Sequence, residues 1–495
     1  MRDAIRPTVS EQVRARLDHP VIDADGHSVE FMPALVSYLR EEGVTDLGRL
    51  FRSIGAGFGG ASRAGASPAQ RRAERIPSGP WWALPAAHTL DVATATFPRL
   101  LRERLDQFGI DFAVVYPTAA LGLVHSLDDE LRPRACRAVN RYHADVFREL
   151  GDRLAPVAVI PMQTPEEAVA ELDHAVGGLG MKAAMLASYA QRPVEAACAR
   201  DPELVRHAFW LDFFGIDSEY DYDPVWARCI ELGVVPGTHS GGMGWGSRRS
   251  PSTYMYNHIG HFAAAGEALC KSLFFGGVTR RFPRLRVAFL EGGVHWAVGL
   301  LGDLAARWEK RNIEAVQRYD PKRIDRRQFA ELFDQWAGPL KSRMAGGDPA
   351  QAFQTDVEAH DDFERCGIRR PEDVRDLFVP NFYFGCEADD PMTATAFDTR
   401  RTPFGAKLGA IFSSDIGHWD VPDMTEVLEE AHEAVERGWL DAGQFRDFTF
   451  ANAARLYTDA NPAFFQGTAV EAAVAREISA ASGAAARAPA TPSRR

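Results

Sequence analysis

Eight short apolar runs recur along this chain, each followed by a polar turn and then a stretch of helical character. They are PVIDAD (20–25), DFAVVYP (111–117), LAPVAVIP (154–161), KAAMLAS (182–188), GVVPGTHS (233–240), LRVAFLEGG (285–293), NFYFGCE (381–387) and AIFSSD (410–415). Strands that alternate with helices build a parallel sheet from βα units. Eight such strands are the number a closed barrel needs, so the pattern predicts a (β/α)₈ barrel of the TIM type. The intervening segments carry helix punctuation. In TPEEAVAELDHAVGGLG, Thr164 is placed to cap the N-terminus, with Glu167 three residues on and Gly177, Gly178 and Gly180 supplying the stop.

Three regions exceed a minimal barrel. The reading divides the chain into an N-terminal extension (1–19), a barrel over 20–465 and a low-complexity tail over 466–495, expected to be disordered. Within the barrel, an insertion over about 31–95 contains the flexible tract GAGFGGASRAGASPAQRRAER, followed by PWWALPAAH; a second, helical insertion covers about 305–378. Trp81 and Trp82 mark an ordered edge, read as a lid.

The balance of charge narrows the partners. A formal net charge of −12 and the absence of a Lys/Arg stripe give no electrostatic reason to hold nucleic acid. No run approaches the roughly 20 apolar residues that span a bilayer, and the N-terminus lacks the apolar core of a signal peptide. Six scattered cysteines with no CxxC pair read as reduced thiols of a cytoplasmic protein. The expected partner is a small-molecule substrate.

In such a barrel the chemistry sits where the strands end. The first predicted strand ends in Asp23-Ala24-Asp25-Gly26-His27, and alternation along a strand turns Asp25 and His27 to one side. The fifth ends in GTHSGG, delivering His239, and the eighth in SSD, delivering Asp415. Two imidazoles and two carboxylates make a mixed nitrogen and oxygen set suited to Zn²⁺, Fe²⁺ or Mn²⁺. Further ligand-type residues crowd the same ends: Glu30, His258, His261, Glu291, His295, Glu387 and His418. They exceed what one four-coordinate ion requires, so the expectation is one or two ions, with Glu30, His261 and Glu291 as additional ligands. Asp415 is expected to move the proton, assisted by Glu291 or His295. Trp81, Trp82, Trp245 and Trp296, with His258 and His418, are expected to wall the substrate site. Lys182 begins its strand rather than ending it, which rules it out as a bridging ligand. GxSxG, P-loop and HExxH motifs are absent, and GAGFGG (55–60) lacks the flanking strand and helix of a dinucleotide fingerprint.

The DxH pair, the GTHSGG histidine, the segment GGVTRRFPRLRVAFLEGG (276–293), the SSD aspartate and FANAARLY (450–457) together resemble the amidohydrolase superfamily. The likeness is to its amidohydrolase-related branch, which includes aminocarboxymuconate-semialdehyde and γ-resorcylate decarboxylases, and it covers residues 20–30 and 105–460. It implies a (β/α)₈ barrel with a divalent metal held by Asp25, His27, His239 and Asp415, and a homo-oligomer such as a dimer. The implied activity is that of a metal-dependent hydrolase or decarboxylase acting on a small-to-medium carboxylate, amide or ester. The chain also departs from the branch. Its decarboxylases carry a histidine where this sequence has Glu291, and a carboxylate repels a substrate carboxylate but can serve as a base or ligand. The surplus of carboxylates is similar to that of amidohydrolase-fold non-haem di-iron hydroxylases, which makes an O₂-using oxygenase the alternative expectation.

Overall fold

The computed structural model describes residues 7–54, 66–78, 87–201, 204, 208–344, 346–347, 349 and 361–487. Trp81, Trp82 and the GAGFGG tract lie outside the described residues.

All eight expected strands form: β1 (Ile22–Ser28), β2 (Phe112–Pro117), β3 (Leu154–Ile160), β4 (Ala183–Leu186), β7 (Val235–Thr238), β8 (Val287–Phe289), β9 (Phe382–Cys386) and β10 (Gly409–Phe412). Every pairing between neighbours is parallel, in the order β1-β2-β3-β4-β7-β8-β9-β10. The first and last strands meet through the residues just past β10. Asp415 N–H donates to the Asp25 carbonyl at 3.0 Å, and His27 N–H donates to the Ile416 carbonyl at 2.8 Å. Helices wrap this sheet, as a barrel whose strands are buried on both faces requires. The chain therefore folds as a (β/α)₈ barrel.

One pair of strands was not anticipated. β5 (Ala190–Pro193) and β6 (Phe209–Asp212) form a separate antiparallel ribbon after β4. Arg192 of β5 is buried against Asp212 of β6 at 3.0 Å and receives support from the Tyr222 hydroxyl at 2.8 Å.

Local chemistry explains several element ends. Thr164 Oγ1 accepts from Glu167 N–H at 3.2 Å, the cap that the sequence proposed. The helix Pro98–Phe108 stops at Gly109, whose φ of 71° suits a residue without Cβ. Lys182 Nζ donates to the Phe464 carbonyl at 3.0 Å, at the start of β4 and away from the strand ends. The 305–378 insertion is helical where described, including Arg326–Trp336 and Pro371–Phe378.

Glu471–Arg487 is a helix rather than a disordered segment. Its alanine-rich sequence favours helix intrinsically, and its start is tied down: Val474 is buried and the Glu477 carboxylate holds Arg446 and Arg455. All six cysteines are free thiols, five of them buried. Among the described residues no helix is long and apolar enough to cross a membrane.

Candidate metal centre

β1 and β7 stand opposite one another in the barrel; His27 is the penultimate residue of β1, and His239 directly follows β7. His27 Nε2 and His239 Nε2 approach to 3.0 Å. Around them, Asp25 Oδ1 lies 3.4 Å from His27 Nε2 and 3.5 Å from His239 Nε2. Asp415 Oδ1 lies 3.4 Å from His27 Nε2, and Glu291 Oε2 lies 3.3 Å from His239 Nε2. An ion with bonds of about 2.0–2.2 Å holds its ligand atoms roughly 3.0–3.5 Å apart, which is the spacing found here. The atoms form two overlapping sets that share His27: Asp25, His27 and His239 in one, and His27, Glu291, Asp415 and His418 in the other.

Every one of these side chains is buried, yet both Asp25 oxygens, Asp415 Oδ2 and Glu291 Oε2 lack a hydrogen bond, and Asp415 Oδ1 is met at 2.6 Å by His418 Nδ1. Buried carboxylates are normally paired or bound to a cation, because an unpaired charge in a low dielectric is costly. The electrostatics agree. Burial opposes ionisation of Asp25, but His239 and His27 outweigh it and hold its carboxyl at about 2. Glu291 and Asp415 are pushed well above the usual carboxylate range, first by burial and then by neighbouring acids: Asp420, Glu387 and Asp25 around Glu291, and Glu291, Asp420 and Glu387 around Asp415. Burial lowers His27 and His418. A divalent cation at this point relieves both the carboxylate repulsion and the missing hydrogen bonds, so the residues present fit a metal.

The backbone is bent to make the set. Glu291 and Asp415 occupy the left-handed region, with φ of 54° and 53°, which side chains other than glycine and asparagine seldom adopt. The two carboxylates leave β8 and β10 through these turns. Asp23, one pleat behind Asp25, fixes the seam: its carboxylate accepts from Ser414 N–H at 3.0 Å, Ser414 Oγ–H at 2.6 Å and Asp25 N–H at 3.2 Å. The loop after β7 is held by Ser240, whose Oγ accepts from Ser188 N–H at 2.9 Å and bonds His125 Nε2 at 2.9 Å.

The structure thus brings Asp25, His27, His239, Glu291, Asp415 and His418 together. Three residues expected at the ion or its reaction lie outside both sets. The Glu30 carboxylate turns to the loop after β2, accepting from Ala119 N–H at 2.7 Å, with His143 Nε2 3.8 Å away. His261 begins the helix His261–Phe275 and packs against Phe262, ring centroids 3.9 Å apart, and against Gly241, where an added Cβ would meet its Nδ1 at 2.2 Å. His295 is exposed at the first turn of the helix His295–Arg311. Spacing along the chain put all three near strand ends but could not show which way each side chain turns.

The expected walls divide. Trp245 packs edge-on to Tyr189 at 5.6 Å and to Phe213 at 5.9 Å, beside the loop that carries His239. Trp296 is instead set among Phe289 and Phe384, as packing between helix and sheet. His258 bonds the Tyr254 hydroxyl at 2.9 Å and stands 4.0 Å from Asp420. Sequence reasoning missed Asp23, Thr118, His125, Ser240 and Asp420. Thr118 directly follows β2, so the strand-end rule would have found it.

Fold and site together define an α/β barrel with a candidate metal centre at the C-terminal mouth of its strands. Residues 22–341 match the amidohydrolase family, and the chain belongs to that family. Decarboxylase orsB of Emericella nidulans is 28% identical over 190 residues, 35% of this chain and 50% of the relative. The 2-amino-3-carboxymuconate-6-semialdehyde decarboxylase of Dictyostelium discoideum is 28% identical over 155 residues, 31% of this chain and 36% of the relative. The chain thus spans half the length or less of these curated relatives. Among solved structures, a dihydroxybenzoic acid decarboxylase from Polaromonas sp. JS666, with bound manganese and 2-nitroresorcinol, is similar at 16% identity and a TM-score of 0.48. That match covers 89% of this chain and 97% of the other.

Proposed function

We propose that this chain is a metal-dependent decarboxylase or hydrolase that acts on a small-to-medium carboxylate, amide or ester. The observation that carries the reading is the convergence of two imidazole nitrogens and three buried carboxylates at 3.0–3.5 Å, with the carboxylate oxygens Asp25 Oδ1 and Oδ2, Asp415 Oδ2 and Glu291 Oε2 free of hydrogen bonds. Asp25, His27, His239 and Asp415 would hold the ion, with Glu291 in reach as a fifth ligand; the donor set suits Zn²⁺, Fe²⁺ or Mn²⁺. When bound, the ion supplies Lewis acidity, lowering the pKa of a water and polarising a carbonyl or carboxylate oxygen.

The chain's own groups supply the rest. Asp415 Oδ2 is placed to take a proton and return it, and Glu291 Oε2 can do the same on the β8 side. Trp245, Tyr189 and Phe213 offer an apolar wall that excludes water. The names of the curated relatives support decarboxylation. The carboxylate of Glu291, where decarboxylases of the branch have histidine, supports hydrolysis. We also place the protein in the cytoplasm as a homodimer; its six free thiols support a reducing compartment.

The test is anaerobic turnover of a panel of aromatic and unsaturated carboxylates, amides and esters by metal-loaded and metal-stripped protein. Release of CO₂ or of a hydrolysis product, lost on stripping and restored by a divalent ion, supports the proposal. Product formation that requires O₂, or full activity in the stripped protein, overturns it.

A further inference from the structure

We propose that Thr118 is a positioning residue of the metal centre, selecting which edge of the His418 ring faces Asp415, and that Glu30 acts by holding the loop that carries Thr118. This deepens the metal reading above and rests on it.

His418 is buried, and its ring lies stacked on His27 with centroids 3.6 Å apart. A stack fixes the plane of an imidazole but not its edge. Rotation by 180° about the Cβ–Cγ bond exchanges Nδ1 with Cδ2 and Nε2 with Cε1 while leaving the ring plane in place. Hydrogen bonds break that degeneracy. Thr118 Oγ1 lies 3.1 Å from His418 Nε2, at hydrogen-bond distance. With Nε2 engaged there, Nδ1 is turned to Asp415 Oδ1 at 2.6 Å, and so to the cluster of His27, Glu291 and Asp415. A threonine hydroxyl can donate or accept, so it serves either tautomer. Partners of this kind orient metal-ligating groups and commonly contribute 10- to 100-fold to metal affinity.

Thr118 is in turn fixed by the end of β1. Its N–H donates to the Ser28 carbonyl at 3.1 Å, and the next residue, Ala119, donates its N–H to Glu30 Oε2 at 2.7 Å. Glu30 is thereby linked to the ion by a path: Glu30 to the 118–119 loop, Thr118 to His418, and His418 to Asp415.

The experiment is titration of Zn²⁺ into metal-free full-length chain, comparing variants that retain wild-type circular dichroism. Thr118→Val, which removes the hydroxyl at nearly constant shape, is expected to weaken Zn²⁺ binding about 10- to 100-fold. Thr118→Ser is expected to restore it, and Thr118→Val added to His418→Ala is expected to cause no further loss. Glu30→Ala should match Thr118→Val, while Glu30→Gln, which keeps an acceptor oxygen, should bind within a few-fold of wild type. Wild-type Zn²⁺ affinity in Thr118→Val, failure of Thr118→Ser to restore binding, or multiplying losses in the double variant overturns the proposal. A loss in Glu30→Gln as large as in Asp25→Asn shows Glu30 to be a ligand and overturns its part. Should Thr118→Val not fold, Thr118→Ser and the Glu30 pair still decide the case. Retention of Zn²⁺ by His239→Ala would instead sink the metal reading itself, whatever the Thr118 variants do.

Discussion

His27 and His239 reach across the full width of the barrel, from β1 and β7, to bring their Nε2 atoms within 3.0 Å of each other. Carboxylates of Asp25, Asp415 and Glu291 surround the pair at 3.3–3.5 Å. Such an assembly of buried acids and bases is unfavourable for the protein alone, and a bound cation reverses that balance.

Neutralising one of these acids should therefore separate stability from binding. Glu291 is buried and pushed well above the usual carboxylate range by burial and by neighbouring acids. In Glu291→Gln, the metal-free protein is expected to gain stability at neutral pH, because the amide removes the cost of ionising a buried carboxyl among acids. Its affinity for divalent metal should fall at the same time. Thermal unfolding and metal titration of the same sample check both; a less stable metal-free variant contradicts the account.

Asp23 carries the opposite expectation. Its carboxylate satisfies Ser414 N–H, Ser414 Oγ–H and Asp25 N–H in the buried seam between β1 and β10. Asp23→Ala leaves those donors without partners and should destabilise the fold by about 2–4 kcal/mol, with metal affinity falling as Asp25 loses its anchor. Denaturant unfolding measures the first effect, and an unchanged midpoint would count against the seam.

Gly241 tests the packing that positions the His261 ring. A Cβ there would lie 2.2 Å from the buried His261 Nδ1, and Gly242 N–H bonds the His261 carbonyl at 3.0 Å. Gly241→Ala should cost about 1–3 kcal/mol through overpacking and disturb His239, two residues away. His261→Ala in the Gly241→Ala background should recover much of the stability, because it removes the clash.

A pH effect is expected far from the site. Glu171, buried beside Asn140 and Arg137, is raised to about 7, chiefly by burial, from an ordinary value of 4.5. A carboxyl raised on folding binds its proton more tightly in the native state. Its contribution to stability is therefore full below pH 4.5 and is lost as pH rises through 7. The stability difference between wild type and Glu171→Gln should shift against wild type across that window; a flat difference from pH 4.5 to 7.5 refutes the assignment.

Much of this was written in the chain. The eight barrel strands are buried on both faces and so read as continuous apolar runs, which is why each was found within a few residues. Asp25, His27, His239 and Asp415 end such runs, so the strand-end rule reached them. The β5–β6 ribbon escaped notice because AQRP and FWLD are four residues each, too short for alternation to show. Glu30 and His261 lie within four residues of strand-end or helix-start positions, yet one caps a loop and the other packs on glycine. Those fates depend on side-chain direction and on neighbours distant in sequence, such as Ala119 for Glu30. The left-handed turn at Glu291 carries no signal in residue type, and the one at Asp415 only the mild preference of aspartate for that region.

The central claim is that these residues hold a metal. Elemental analysis of the full-length chain, purified without chelator and compared with His239→Ala, tests it most directly. One or two divalent transition-metal ions per chain are expected in the wild type, with loss of metal in a variant that remains folded. A folded wild-type chain that takes up no divalent metal on loading, or a His239→Ala variant that keeps the wild-type complement, would contradict it.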